Sequence, residues 1–251
     1  MATSFDKNEK SARRAVADDI RRQQQRKEKR TTLSIVGVCV AIALIIIAAA
    51  AFKPIKDWWD LRQFNGKNIE EIGAPATVCG KVTTKDAEGS GKHVPEGQKV
   101  LYTDAPPTFG EHYPSPDPMA RKLYTADDRP PLEVLVHNLE HGYSILWYDT
   151  TIAADKTQMD QLTAIATKLE GTGNGRLKFK AVPWLPTDED GKAFPEGQHV
   201  ALTHWSAGGV GDAATGKQVG VWQYCSAISG QALSDFMLKY PYLDSPEPTS
   251  P

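Results

Sequence analysis

A run of 20 residues without a charge, 33–52 (LSIVGVCVAIALIIIAAAAF), constrains this chain more than any other feature. As a helix it is about 30 Å long, the thickness of a bilayer's hydrocarbon core. Residues 1–30 hold ten Lys/Arg against five Asp/Glu, a net +5. The rest of the 251-residue chain holds 19 against 26, a net −7. A basic flank stays on the cytoplasmic side, so the N-terminus is expected inside and the C-terminal domain outside the cell membrane. Trp58 and Trp59 follow at the outer interface, where indole rings favour the headgroup level. A cleavable signal peptide is the competing reading, and Ala48-Ala49-Ala50 resembles a cleavage site. Signal cores are shorter, about 7–15 residues, and lie behind a shorter basic region. Cys39, in mid-run, has no lipid-attachment motif ahead of it. The acidic outer part argues against a nucleic-acid partner, while the basic tail suits anionic lipid.

Five segments follow from this pattern. Residues 1–30 form a cytoplasmic basic tail. Its stretch 18–30 is rich in helix formers but lacks an apolar stripe, so a solvated helix or disorder is expected. Residues 31–52 span the membrane, and 53–70 form a stalk in which Pro54 is expected to break the helix. Residues 71–245 form one extracytoplasmic domain, long enough to bury a single core. The chain from Asp244 on is Pro/Ser-rich, and the tail 246–251 is expected to be disordered.

Within the domain, 132–136, 144–148, 177–182 and 200–203 read as strands, rich in β-branched and aromatic residues. A helix is expected over 155–169, with Met159, Leu162, Ala166 and Leu169 on one stripe and Gly171 as its stop. A last helix over 230–240, capped by Ser229 and ended by Pro241, buries Leu233, Phe236 and Met237. Between 104 and 131 the chain is a long Pro-rich loop. The fold class is α+β: one N-terminal transmembrane helix, then a single mixed α+β extracytoplasmic domain.

Cys79 and Cys225 are the two cysteines outside the apolar run. An exported domain meets oxidising conditions, which favours a Cys79–Cys225 disulfide. A thiolate pair on a metal is the alternative, although the spacing fits no CxxC motif.

The histidines carry the chemistry. His137 and His141 flank Glu140, and His93 and His112 stand near turns or strand ends upstream. Imidazole is a ligand for copper, zinc and iron. In a helix His137 and His141 would share one face, with Gly142 ending the turn. His-x-x-Glu-His matches the inverted zincin motif, but strand-like flanks here argue against the long helix of such hydrolases. A structural role is the competing reading, since a strand-end histidine often serves a carbonyl or an acid. Met119 offers a thioether seven residues after His112. His199 and His204 read as surface or structural, and Trp147, Trp184, Trp205 and Trp222 as core anchors. Asp188-Glu189-Asp190 reads as a solvated turn and Gly208-Gly209-Val210-Gly211 as a loop. No nucleophile elbow, phosphate loop or dinucleotide fingerprint occurs, so a binding role stands ahead of an enzymatic one.

Three patches in order resemble a known family. They are His93-Val94 with Val100-Leu101-Tyr102, then Pro106-Pro107-Thr108-Phe109-Gly110-Glu111-His112-Tyr113-Pro114, then Val136-His137-Asn138-Leu139-Glu140-His141-Gly142 followed by Trp147-Tyr148. The chain resembles actinobacterial membrane-anchored proteins carrying the domain of unknown function 3105 (DUF3105), over about residues 71–225. That resemblance implies an exported domain behind one helix, and His93, His112, His137, Glu140 and His141 match its pattern. Phe109 stands where the family has Ser, and His204 where it has a small residue. The family brings no assigned activity.

Two functional expectations result. One is an outer domain that binds a transition metal, copper ahead of zinc, through His112, His137 and His141, with His93 nearby and Glu140 supporting them. The other is a non-catalytic accessory or assembly subunit of an envelope or respiratory membrane complex.

Overall fold

The computed structural model describes residues 3–87, 91–211 and 215–249, so Ser250 and Pro251 of the expected tail lie outside the described residues. The chain divides into two compact units, Met1–Asp60 and Leu61–Pro251.

The first unit is the helix α1 (Thr3–Leu61). It contains an 18-residue window of mean hydropathy 3.0, none of it buried, and is long and apolar enough to cross a membrane. Pro54 does not end it, contrary to expectation. Proline costs the helix one backbone hydrogen bond, but its fixed φ near −65° is helical. The i,i+4 ion pair Lys53–Asp57 brackets the proline and Lys56–Asp60 follows it, each at 2.7 Å, and both support the helix there.

The second unit is a five-stranded mixed sheet with helices. Its elements are β1 (Thr83–Asp86), α2 (Leu132–Glu140), β2 (Ser144–Tyr148), α3 (Thr150–Ala154), α4 (Lys156–Lys168), β3 (Phe179–Pro183), β4 (Val200–Ser206), β5 (Val219–Cys225) and α5 (Gly230–Lys239). The strand order is β1-β5-β4-β2-β3. Only the β2–β3 pair is parallel, and α3 and α4 make its crossover. Asp149 and Asp155 cap α3 and α4 by accepting backbone N–H bonds, and Ser229 caps α5 in the same way.

Strands β2, β3 and β4 are buried on both faces, which is why they read as continuous apolar runs rather than alternating ones. On one face Leu146, Tyr148, Phe179, Ala181, Val200, Leu202 and Val221 pack with residues of α4 and α5. On the other, Ile145, Trp147, Val182, Ala201 and Trp205 pack with Leu132, Leu135, Val136 and Leu139 of α2. All four predicted core tryptophans are buried there or at its rim.

Several expectations are corrected. Residues 132–136 are the first turns of α2, not a strand. Short apolar runs are ambiguous between the two. Here Leu132, Leu135, Val136 and Leu139 recur at 3.6-residue spacing behind Pro131, whose φ of −53° starts the helix. Strands β1 and β5 were not anticipated. β5 buries Gly220, Val221, Trp222 and Cys225 without alternating, and the exposed edge β1 (TTKD) carries no apolar signal. Only Asp190 of the 188–190 run is solvated: Asp188 pairs with Arg129, and Glu189 accepts the Tyr102 N–H at 2.9 Å. The end of the chain is held rather than loose. Asp244 is buried and accepts from Ser206 Oγ and Gly209 N, both at 2.7 Å. Composition missed this, because it says nothing about the docking sites on the sheet. Cys79 and Cys225 form a disulfide.

Candidate metal centre

The site is built where α2 ends. Gly142 leaves the helix with φ +87°, a region glycine enters at no steric cost. His137 and Glu140 stand in the last turn of α2, and His141 is its C-cap. The rings of His137 and His141 approach to 4.4 Å between centroids, as i,i+4 residues on one face should.

His93 and His112 come from the chain between β1 and α2, which the scaffold holds at several points. Trp222 Nε1 donates to Pro106 O and Tyr224 OH to Ala105 O, each at 2.7 Å. Tyr102 OH donates to Glu111 O, also at 2.7 Å. From α2, Asn138 exchanges side-chain bonds with the backbone of Asp117, and Glu133 accepts the Val100 N–H. Buried Lys180 of β3 pairs with Asp117, adding a charge-assisted tie. The His112 N–H donates to Lys92 O and the Val94 N–H to His112 O, which sets His93 beside His112. Phe109 packs its ring against Trp205 and Trp222, so this departure from the family pattern serves packing.

One ligand atom each from His93, His112, His137 and Glu140 lies within 4.8 Å of the others. Such a group can hold a metal ion. His93 is exposed at the mouth; His112, His137 and Glu140 are buried. The ring orientations are set from behind. His112 Nδ1 lies 2.8 Å from Gly110 O, and His137 Nδ1 2.5 Å from Tyr113 O. A carbonyl only accepts, so in each neutral ring Nδ1 carries the proton and Nε2 the lone pair. Carbonyl partners of this kind orient metal-binding imidazoles.

Each of these Nε2 atoms faces a further polar group. His112 Nε2 lies 2.9 Å from Glu140 Oε2, a buried contact that is an ion pair when Nε2 also carries a proton. Two acceptors at this separation need a proton or a cation between them. His137 Nε2 lies 2.9 Å from His141 Nε2, where a proton on the His141 nitrogen makes a hydrogen bond between the two rings. Burial, opposed by the Tyr113 carbonyl and aided by neighbouring His141 and His112, pushes the His137 imidazole down to about 4. It is therefore in its ligating neutral form at neutral pH. Burial disfavours the Glu140 carboxylate, but the hydrogen bond with His112 and the imidazoles around it together hold its carboxyl below the ordinary value.

The five residues singled out from the sequence thus lie in one neighbourhood, with two differences in arrangement. Glu140 is among the candidate ligands rather than behind them, and His141 belongs to an adjoining group with Glu140 and Glu247. Sequence reading missed Glu247, because its tail was expected to be loose. His204 is buried away from the cluster, its ring nitrogens facing Tyr143 O and Asp244 O. His199 pairs with Asp149, and Met119 packs against the apolar layer around α2.

The fold and site define a class: an α+β domain, preceded by an apolar helix, with a histidine–carboxylate cluster where a short helix meets a long loop. The chain belongs to the family of proteins of unknown function DUF3105, whose profile matches residues 93–250. That span begins at His93 and takes in every residue of both groups. No curated protein and no solved structure matches the chain.

Proposed function

We propose that this is a membrane-anchored protein whose extracytoplasmic domain binds one transition-metal ion, Cu(II) ahead of Zn(II), through His93, His112, His137 and Glu140. The observation that carries this reading is the convergence of His93, His112, His137 and Glu140, one ligand atom of each lying within 4.8 Å of the others. Three imidazoles and a carboxylate suit either metal. Copper leads because divalent affinity at such sites rises to Cu(II) and falls at Zn(II). The exposed His93 gives an ion a way in from solvent.

The test uses the untagged full chain in detergent, stripped of metal and titrated separately with Cu(II) and Zn(II). Tight uptake of Cu(II), lost in a His112→Ala/His137→Ala variant that keeps its circular dichroism, supports the reading. A folded protein that takes up neither metal overturns it.

The charge difference between the basic N-terminal tail and the acidic remainder favours a second reading, an accessory subunit presented to a larger membrane complex. Co-elution with that complex in mild detergent supports it, and elution as a free monomer opposes it.

A further inference from the structure

The chain's end makes a short strap across the end of α2. Gly142 lets it sit close: a Cβ there would lie 2.2 Å from Tyr242 O and 2.9 Å from Ser245 Oγ. Asp244 anchors the strap through Ser206 and Gly209, and the Asp244 carbonyl faces His204 Nε2 at 2.6 Å. Past this anchor the Glu247 N–H donates to Glu140 O at 2.9 Å, and Lys178 Nζ donates to both His141 O and Pro248 O. The backbone around Glu247 is therefore fixed on both sides. Its carboxylate lies 3.5 Å from His141 Nε2. One atom each from Glu140, His141 and Glu247 lies within 4.8 Å of the other two.

We propose that the strap completes a second divalent-cation site, formed by His141 and Glu247 with Glu140 as the carboxylate shared with the first site. This rests on the metal-binding reading above. Three features support it beyond the proximity of acids. His141 and Glu140 are both more than nine-tenths buried, so a cation beside them is shielded from water. Glu247 reaches them on backbone held by three hydrogen bonds rather than as a free surface side chain. The donor sets also differ. One imidazole with two carboxylates is harder than three imidazoles with one, so the second site takes a borderline divalent ion such as Zn(II) rather than Cu(I). A shared carboxylate neutralises charge from two ions at once, which lets them sit close together.

Zn(II) is the probe, because it accepts both donor sets. The untagged full chain and its Glu247→Gln variant, in detergent, are dialysed to equilibrium against Zn(II) and their metal content is measured. Two equivalents in the wild type and one in Glu247→Gln support the proposal. Glutamine keeps the size and the backbone bonds, so the variant folds; circular dichroism checks this. One equivalent in the wild type overturns the second site and leaves the first standing. Two equivalents in both proteins overturn Glu247 as a ligand. No zinc or copper in a folded wild type overturns both readings together.

Discussion

Glu140 reaches the cluster by lying against Gly91, where a Cβ would stand 1.6 Å from its Oε1. A methyl group there must push the carboxylate aside. The obstacle is the tip of a side chain, so the fold yields at little cost while the ligand moves. Gly91→Ala is expected to weaken metal affinity on the order of 10–100-fold, with the melting temperature near that of wild type. Unchanged affinity in a metal titration would remove Glu140 from the ligand set. A second residue-scale prediction concerns protons. His137 is lowered from 6.5 to about 4 in the folded chain. Between those values the unfolded chain binds a proton that the folded one does not, so stability is full above 6.5 and falls as pH drops toward 4. Metal-free protein should therefore unfold more easily across that window. His137→Gln should flatten the slope; an identical slope in a urea titration at several pH values would exclude His137 as the cause. The identities of His93, His112, His137, Glu140 and His141 were legible in the chain. Gly91 was not, because its role is a distance to a residue 49 positions away.

α2 shows how an element can be misread and still point to the right place. Its first five residues pass for a strand, yet the His137–His141 spacing was open to a helical turn that Gly142 would end, and the structure has both. What the run lacked was length, and a strand followed by a separate turn satisfied the same pattern. The helix end is testable. Gly142→Ala meets both an unfavourable positive φ and the Tyr242 carbonyl, and is expected to destabilise the domain by about 1–3 kcal/mol. It should also free the strap and thereby lower zinc stoichiometry. A thermal melt equal to wild type would show that neither constraint operates. The opposite error came from composition. Asp188, Glu189 and Asp244 sit in polar or Pro-rich stretches, and each is buried because a specific donor waits for it: Arg129, the Tyr102 N–H, and Ser206 with Gly209.

For the whole molecule, the expected topology is an internal basic tail and an external domain. The chain should stay in the membrane fraction through carbonate extraction, and protease added outside intact cells should digest the domain but spare residues 1–30. Recovery of a soluble chain beginning near Ala51 would instead mark the apolar run as a cleaved signal. The sequence by itself determined the apolar helix, the charge difference across it, the α+β class, the helix α4, the helix α5 with its Ser229 cap, and the residue types of the cluster. Each is a local property, written in periodicity, capping residues and composition. Only the tertiary structure decided the strand order, the seating of His112 by tryptophan and tyrosine side chains of β4 and β5, and the arrival of Glu247 beside His141. Those are contacts across tens of residues, set by how apolar faces and buried polar groups satisfy one another when the chain closes, and no short window of sequence contains both partners.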